Sequence, residues 1–146
     1  MEILEGVEQD HFSRMRVLQV EDEEILRRVM DRGLGDLGVA HTAVESALKA
    51  REIFNADDSF NVLITDFDMP GMNGAELIRE LKAKKPDLLT LLLSGREEGD
   101  GDVAASLGDQ VCDFIERKPI RLSTLQERLE TFNTTLAERE TTEVKI

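Results

Sequence analysis

The sequence predicts a doubly wound α/β fold: a five-stranded parallel sheet with helices on both faces. Two observations carry that prediction. Short β-compatible apolar runs alternate with stretches of helical period five times along the chain, and such alternation implies right-handed crossovers and parallel pairing. Three of the runs, at 15–20, 61–65 and 87–94, have no polar face, as expected of central strands covered by helices on both sides.

Taken in order, residues 1–14 show no clear period and read as an N-terminal extension. "MRVLQV" (15–20) is a short buried strand stopped by "EDEE". "EEILRRVMDRGLGDLG" is a helix with Ile25, Leu26, Val29 and Met30 at helical spacing, ended by Gly33 and Gly35. "VAHTA" is a weak strand, and "ESALKAREIFN" a helix with Leu48 and Phe54 on one side. "NVLIT" (61–65) is the third strand. The helix "GAELIRELKAKK" turns Leu77, Ile78 and Leu81 inward and stops before Pro86. "DLLTLLLS" (87–94) is the fourth strand, "REEGDGD" a loop, "VAASLG" a short fourth helix and "QVCDFIE" the fifth strand. The last helix, "STLQERLETFNTTLAERE", carries Leu122, Leu125, Leu129, Phe132 and Leu136 at spacings of three and four. Most of that stripe must pack on the sheet. Leu136 lies beyond the domain proper and is a candidate for a homodimer seam.

Composition narrows the function. The 146 residues carry 31 acids and a formal charge of −13, which argues against nucleic acid as a direct partner, because phosphate backbones are bound by clustered Lys and Arg. Forty per cent of the residues are hydrophobic, with no Trp or Tyr, so the core is expected to be aliphatic. No apolar run approaches the ~18 residues of a membrane span. The acidic start lacks the pattern of a signal peptide, so the expected location is cytoplasmic. The single cysteine, Cys112, suits a reducing compartment and reads as a buried, unreactive thiol. His11 and His41 have no acids at metal-site spacing and read as surface residues.

In open α/β sheets the ligand site lies beyond the carboxyl ends of the strands. There the sequence places Glu21 and Asp22 after the first strand, Asp66 and Asp68 after the third, Ser94 after the fourth and Lys118-Pro119 after the fifth. Acids so gathered cannot all stay ionised without a cation, and a hard oxygen donor set favours Mg²⁺. The lysine and the hydroxyl suit an incoming phosphoryl group. A carboxylate beside Mg²⁺ can itself be the nucleophile, forming an aspartyl-phosphate.

The motifs "VLQVEDEE", "VLITDFDMPGMNG", "LLLSG" and "RKPI", in this order and spacing, resemble the receiver domain of two-component response regulators over residues 15–133, leaving 134–146 as helix end and tail. The resemblance implies the strand order 2-1-3-4-5. It makes Asp66 the phosphoacceptor, with Mg²⁺ held by Glu21, Asp22, Asp66 and the backbone carbonyl of Asp68. It gives Ser94 and Lys118 to the phosphoryl group and makes Lys118-Pro119 cis. Pro70, Gly71 and Gly74 then shape the turn after the nucleophile. The implied partners are a sensor histidine kinase or phosphotransfer protein and a downstream effector or output domain, reached by a switch of surface rather than by enzymatic turnover.

Two positions depart from the family pattern. Glu21 stands where Asp is usual. The aromatic switch expected three residues before the lysine is Ile115, with Phe114 one place earlier, so "FIERKP" looks one residue long, as if bulged. Either Phe114 takes the switch role, or the Ser-to-aromatic coupling is absent; the latter is favoured. A pure interaction module, never phosphorylated, is therefore an alternative function. "DFD" also resembles the Asp-x-Asp of haloacid-dehalogenase-type phosphatases, but it follows the third strand and no cap domain fits. The chain ends about ten residues after the domain, as expected of a stand-alone receiver or a piece of a longer regulator.

Overall fold

The computed structural model describes residues 10–95 and 112–144. Within them the order is β1 (Arg16–Val20), α1 (Glu24–Asp36), β2 (Ala40–Val44), α2 (Ala47–Ala56), β3 (Val62–Asp66), α3 (Gly74–Lys84), β4 (Leu89–Ser94), β5 (Phe114–Arg117) and α4 (Leu122–Val144). The short helix expected at "VAASLG" lies outside the described residues. All strands are parallel, in the order β2-β1-β3-β4-β5. The three apolar runs are the three central strands, as their lack of a polar face requires.

Strand alternation divides the core into two layers. Leu18, Val20, Leu63 and Leu92 face α2 and α3, meeting Ala50, Phe54, Leu77, Ile78 and Leu81. Val17, Val62, Ile64 and Leu91 face α1 and α4, meeting Met30, Leu34, Leu125, Leu129 and Phe132. Two apolar layers on one two-sided sheet make the strand ends the only common edge at which loops from all strands can meet. Among the described residues, no helix is long and apolar enough to cross a membrane.

The structure corrects several element details. Gly33 and Gly35 do not end α1, which runs through both to Asp36. A Cβ on Gly33 would sit 3.5 Å from Leu122 Cδ1, an ordinary contact, so Gly33 faces α4 at van der Waals distance. Ile25 and Val29 are 76% and 64% exposed, and the buried residues of α1 are Met30 and Leu34. Leu48 is exposed while Phe54 is buried; six residues apart at 3.6 per turn, they fall on different sides of α2. β5 pairs residue for residue with β4, Leu91 to Phe114 through Ser94 to Arg117, so no bulge interrupts it.

The stretch before β1 contributes to the core. Phe12 and Met15 are each 1% exposed and share a cluster with Leu136, which is therefore spent within the chain and not offered to a dimer seam. Polar contacts hold the same turn on α4: His11 Nε2 lies 2.9 Å from Glu130, and Asn133 Nδ2 donates to His11 O at 3.3 Å. His41 is likewise tied rather than free, with Nε2 2.6 Å from Asp31 and Nδ1 2.9 Å from Val39 O.

This packing sets an expectation for the N-terminal stretch. Phe12→Ala should cost about 3 kcal/mol of unfolding free energy by leaving a cavity, measured by urea unfolding. Truncating the exposed Ile25 should change it by less than about 0.5 kcal/mol.

Candidate functional site

Each strand of the central trio ends by presenting a functional group at one edge. β1 is apolar except for Arg16 and Gln19 and delivers Glu21 and Asp22 before α1 begins at Glu24. Glu21 is only 4% exposed. Its Oε2 accepts from the Glu23 N–H at 3.1 Å, and its carbonyl accepts from Arg27 Nη1 at 2.9 Å, so the turn is braced from both sides. β3 ends in Asp66, 2% exposed, paired across the sheet with Leu93. β4 ends in Ser94, 4% exposed, whose carbonyl accepts from the Lys118 N–H at 2.8 Å. That bond carries β5's register into the Lys118-Pro119 step, which is cis, as the resemblance implies.

The turn after Asp66 is built for close approach. Gly71 has φ +81°, a region costly for side-chain-bearing residues. Asn73 caps α3, its Oδ1 accepting from Glu76 N while Glu76 Oε1 accepts from Asn73 N. Gly74 then lies so near the strand end that a Cβ there would sit 2.2 Å from Asp66 O and 2.9 Å from Leu92 Cδ1. No other residue fits without moving the backbone that carries Asp66.

The side chains converge. Glu21, Asp22 and Asp66 each offer a carboxylate oxygen, all within 4.8 Å of one another. Lys118 Nζ lies 3.0 Å from Asp66 Oδ1 and 3.2 Å from Glu21 Oε1. Three carboxylates face one ammonium. Burial pushes the Asp66 carboxyl up to about 7; Lys118 opposes this, and the nearby Glu21 and Asp22 charges reinforce it. Burial would lower Lys118, but Asp66 and Glu21 outweigh it and hold the ammonium above its ordinary value. Among the described residues, the buried Asp66 Oδ1 meets the Lys118 ammonium at 3.0 Å and has no other polar partner. A buried carboxylate oxygen among hard donors with surplus negative charge fits a divalent cation such as Mg²⁺.

The structure thus brings Glu21, Asp22, Asp66 and Lys118 together and sets Ser94 at the same strand edge. The Asp68 side chain is exposed and lies outside the carboxylate group. Sequence reasoning missed Arg27, whose only signal is its place one turn into the helix after Glu21. It also missed Gln19, a lone amide in an apolar strand. Phe114 does not take the place of Ile115. Its ring lies under the Arg128 guanidinium at 4.2 Å and against Phe132 at 5.5 Å, on the α1/α4 side of the sheet. Ile115, on the opposite side, is 48% exposed. Cys112 is half-buried, and burial, with Asp113 beside it, pushes its thiol up to about 11, so it stays protonated.

Comparison with known proteins agrees with this geometry. The family model of the response regulator receiver domain matches residues 17–130. The chain is 33% identical over 120 residues to a chemotaxis protein CheY homolog of Campylobacter jejuni, covering 80% of this chain and 90% of that protein. It is 31% identical over 118 residues to chemotaxis protein CheY1 of Helicobacter pylori, covering 80% and 94%. A response regulator receiver domain protein from Clostridium thermocellum superposes with TM-score 0.77 over 84% of this chain and 97% of that one, at 24% identity, a likeness of fold.

The raised Asp66 has a thermodynamic consequence. Its folded pKa lies above the unfolded value, so the folded state holds the extra proton between about 4 and 7, and apo stability falls as pH rises through that window. Asp66→Asn should therefore stabilise the metal-free protein at pH 8 by about 2 kcal/mol, roughly 4–8 °C in Tm, and much less at pH 5. Thermal unfolding in EDTA at both pH values checks this.

Proposed function

The chain belongs to the response regulator receiver family, and from that premise we propose that Asp66 accepts a phosphoryl group from a phosphohistidine of a sensor histidine kinase or phosphotransfer protein in the cytoplasm. An Asp66 carboxylate oxygen forms the new bond to phosphorus. The bond from phosphorus to the histidine nitrogen breaks, and that nitrogen keeps the electron pair and takes up a proton. Lys118 is the group that stabilises the transferred phosphoryl oxygens, because it already pairs with the accepting carboxylate at 3.0 Å. Ser94 donates its hydroxyl to another of those oxygens. Glu21, Asp22 and Asp66, with the Asp68 carbonyl, are the residues that would hold Mg²⁺, which when bound supplies charge neutralisation between the carboxylates and the phosphoryl group.

The observation that carries this reading is the buried Asp66 carboxylate inside a group of three carboxylates with one lysine among the described residues. A structural salt bridge needs one acid per base and no surplus. Transfer removes the Asp66–Lys118 pair in its present form, and the loops at the strand ends shift population toward a second arrangement that a downstream effector or output domain reads.

A second reading, an interaction module that works unphosphorylated, is favoured by one observation. The position of the aromatic switch holds Ile115, and Phe114 is committed to α4. Phosphorylation and an altered route of readout are compatible, so the first reading stands.

Intact mass after incubation with acetyl phosphate tests it. The expected result is a Mg²⁺-dependent gain of about 80 Da, one phosphoryl group, absent in Asp66→Ala. No adduct, together with no beryllofluoride binding by a folded protein, would favour the interaction module. Lys118→Ala should keep the fold and lower the rate of adduct formation by about 10²-fold or more, through the loss of one charged stabilising group.

A further inference from the structure

The α1/α4 side of the sheet holds a feature that phosphoryl transfer does not use. Between the two helices and the ends of β1, β3 and β4 lies a cavity of about 300 Å³, within the lower range of small-molecule sites. Its walls are mainly Leu26, Val29, Met30, Ile120, Leu122 and Leu125. Val29 is 64% exposed and Leu122 51%, so the rim leaves apolar surface in water. Gly33 also lines the cavity, where a Cβ would sit 3.5 Å from Leu122 Cδ1.

One wall is polar in an unusual way. Gln19 sits in the central strand β1, 1% exposed, and lines the cavity. Its Nε2 donates to Arg27 O at 3.4 Å, which fixes the sense of the amide. Its Oε1 is buried and has no hydrogen-bond partner among the described residues. A buried acceptor left unmade costs stability, and an apolar residue would avoid that cost in the same place. Glu21, Lys118, Arg32 and Asp36 also border the cavity, the first two engaged with one another.

We propose that this cavity between α1 and α4 is a binding site for a small one- or two-ring organic molecule with an apolar body and a single N–H or O–H donor, the donor going to Gln19 Oε1. An apolar ring with a donor meets both the wall and the orphaned acceptor. The site adjoins the carboxylate group at the strand ends, with Glu21 and Lys118 between the two, and its occupancy requires neither Mg²⁺ nor phosphorylation.

Phenol, indole and toluene serve as probes, titrated into the full chain and followed by amide NMR shifts without metal or phosphodonor. Phenol and indole should give saturable shifts centred on Gln19, Met30, Gly33 and Ile120. Gln19→Leu should weaken phenol about three- to tenfold, the worth of one neutral hydrogen bond, and leave toluene unchanged or tighter. Should Gln19→Leu fail to fold, Val29→Trp at the exposed rim should abolish shifts from all three probes. The proposal is overturned by an absence of saturable shifts at ~10 mM of every probe, a level at which even weak sites fill, which is the outcome for a cavity that holds only water. It is equally overturned if Gln19→Leu weakens phenol and toluene alike, or if Val29→Trp leaves the shifts intact.

Discussion

Glu21, Asp22 and Asp66 bring carboxylate oxygens within 4.8 Å of each other at the edge of a sheet whose interior is mainly apolar, and among the described residues one lysine answers them. That imbalance is the constraint around which the surrounding structure is arranged. Burial, reinforced by the neighbouring Glu21 and Asp22 charges, raises the Asp66 carboxyl to about 7, and the gathered oxygens suit a hard cation. A protein selected only for stability would disperse such a cluster. Here the fold supplies rigid support for it: two brace contacts on Glu21, a capping box after the Asp66 turn, and a glycine where any Cβ would strike the Asp66 carbonyl.

The two-layer core makes that support possible. Strands β1, β3 and β4 are buried on both faces, so their positions are set by packing rather than by the loops that follow them. The loop groups therefore inherit the precision of the core. The same two-sidedness creates the α1/α4 cavity, because α1 contributes little apolar bulk near its start: Ile25 and Val29 point largely to solvent, and Gly33 has no side chain to fill the space. Gln19 occupies the one inward position of β1 beneath it.

The strand trio and its terminal groups were legible because they follow from short-range chemistry. An apolar run must be buried, and charge or a turn must end it, so Glu21, Asp22, Asp66, Ser94 and Lys118 could be placed from their neighbours alone. Helix faces were less legible. The glycines of α1 looked like a stop, but the helix runs through both to Asp36, because helix propensity is a weak prior that tertiary context overrides. Ile25, Val29 and Leu48 are apolar yet exposed, and periodicity cannot tell a core stripe from an apolar surface. Phe12 and Leu136 illustrate the same limit over distance: they share one cluster from opposite ends of the chain, and neither residue's local sequence announces the other. Arg27 and Gln19 escaped notice because their roles depend on what the fold sets beside them.

The central claim is that burial, with Glu21 and Asp22 beside it, holds the Asp66 carboxyl at about 7 until a cation relieves it. A carbon-13 NMR titration of the aspartate side-chain carboxyls, with Asp66→Asn to assign the signal, measures this directly. The account predicts a midpoint near 7 for Asp66 in EDTA, and a clear downward displacement in saturating Mg²⁺. A midpoint near the ordinary aspartate value of ~3.9 in both conditions would contradict it.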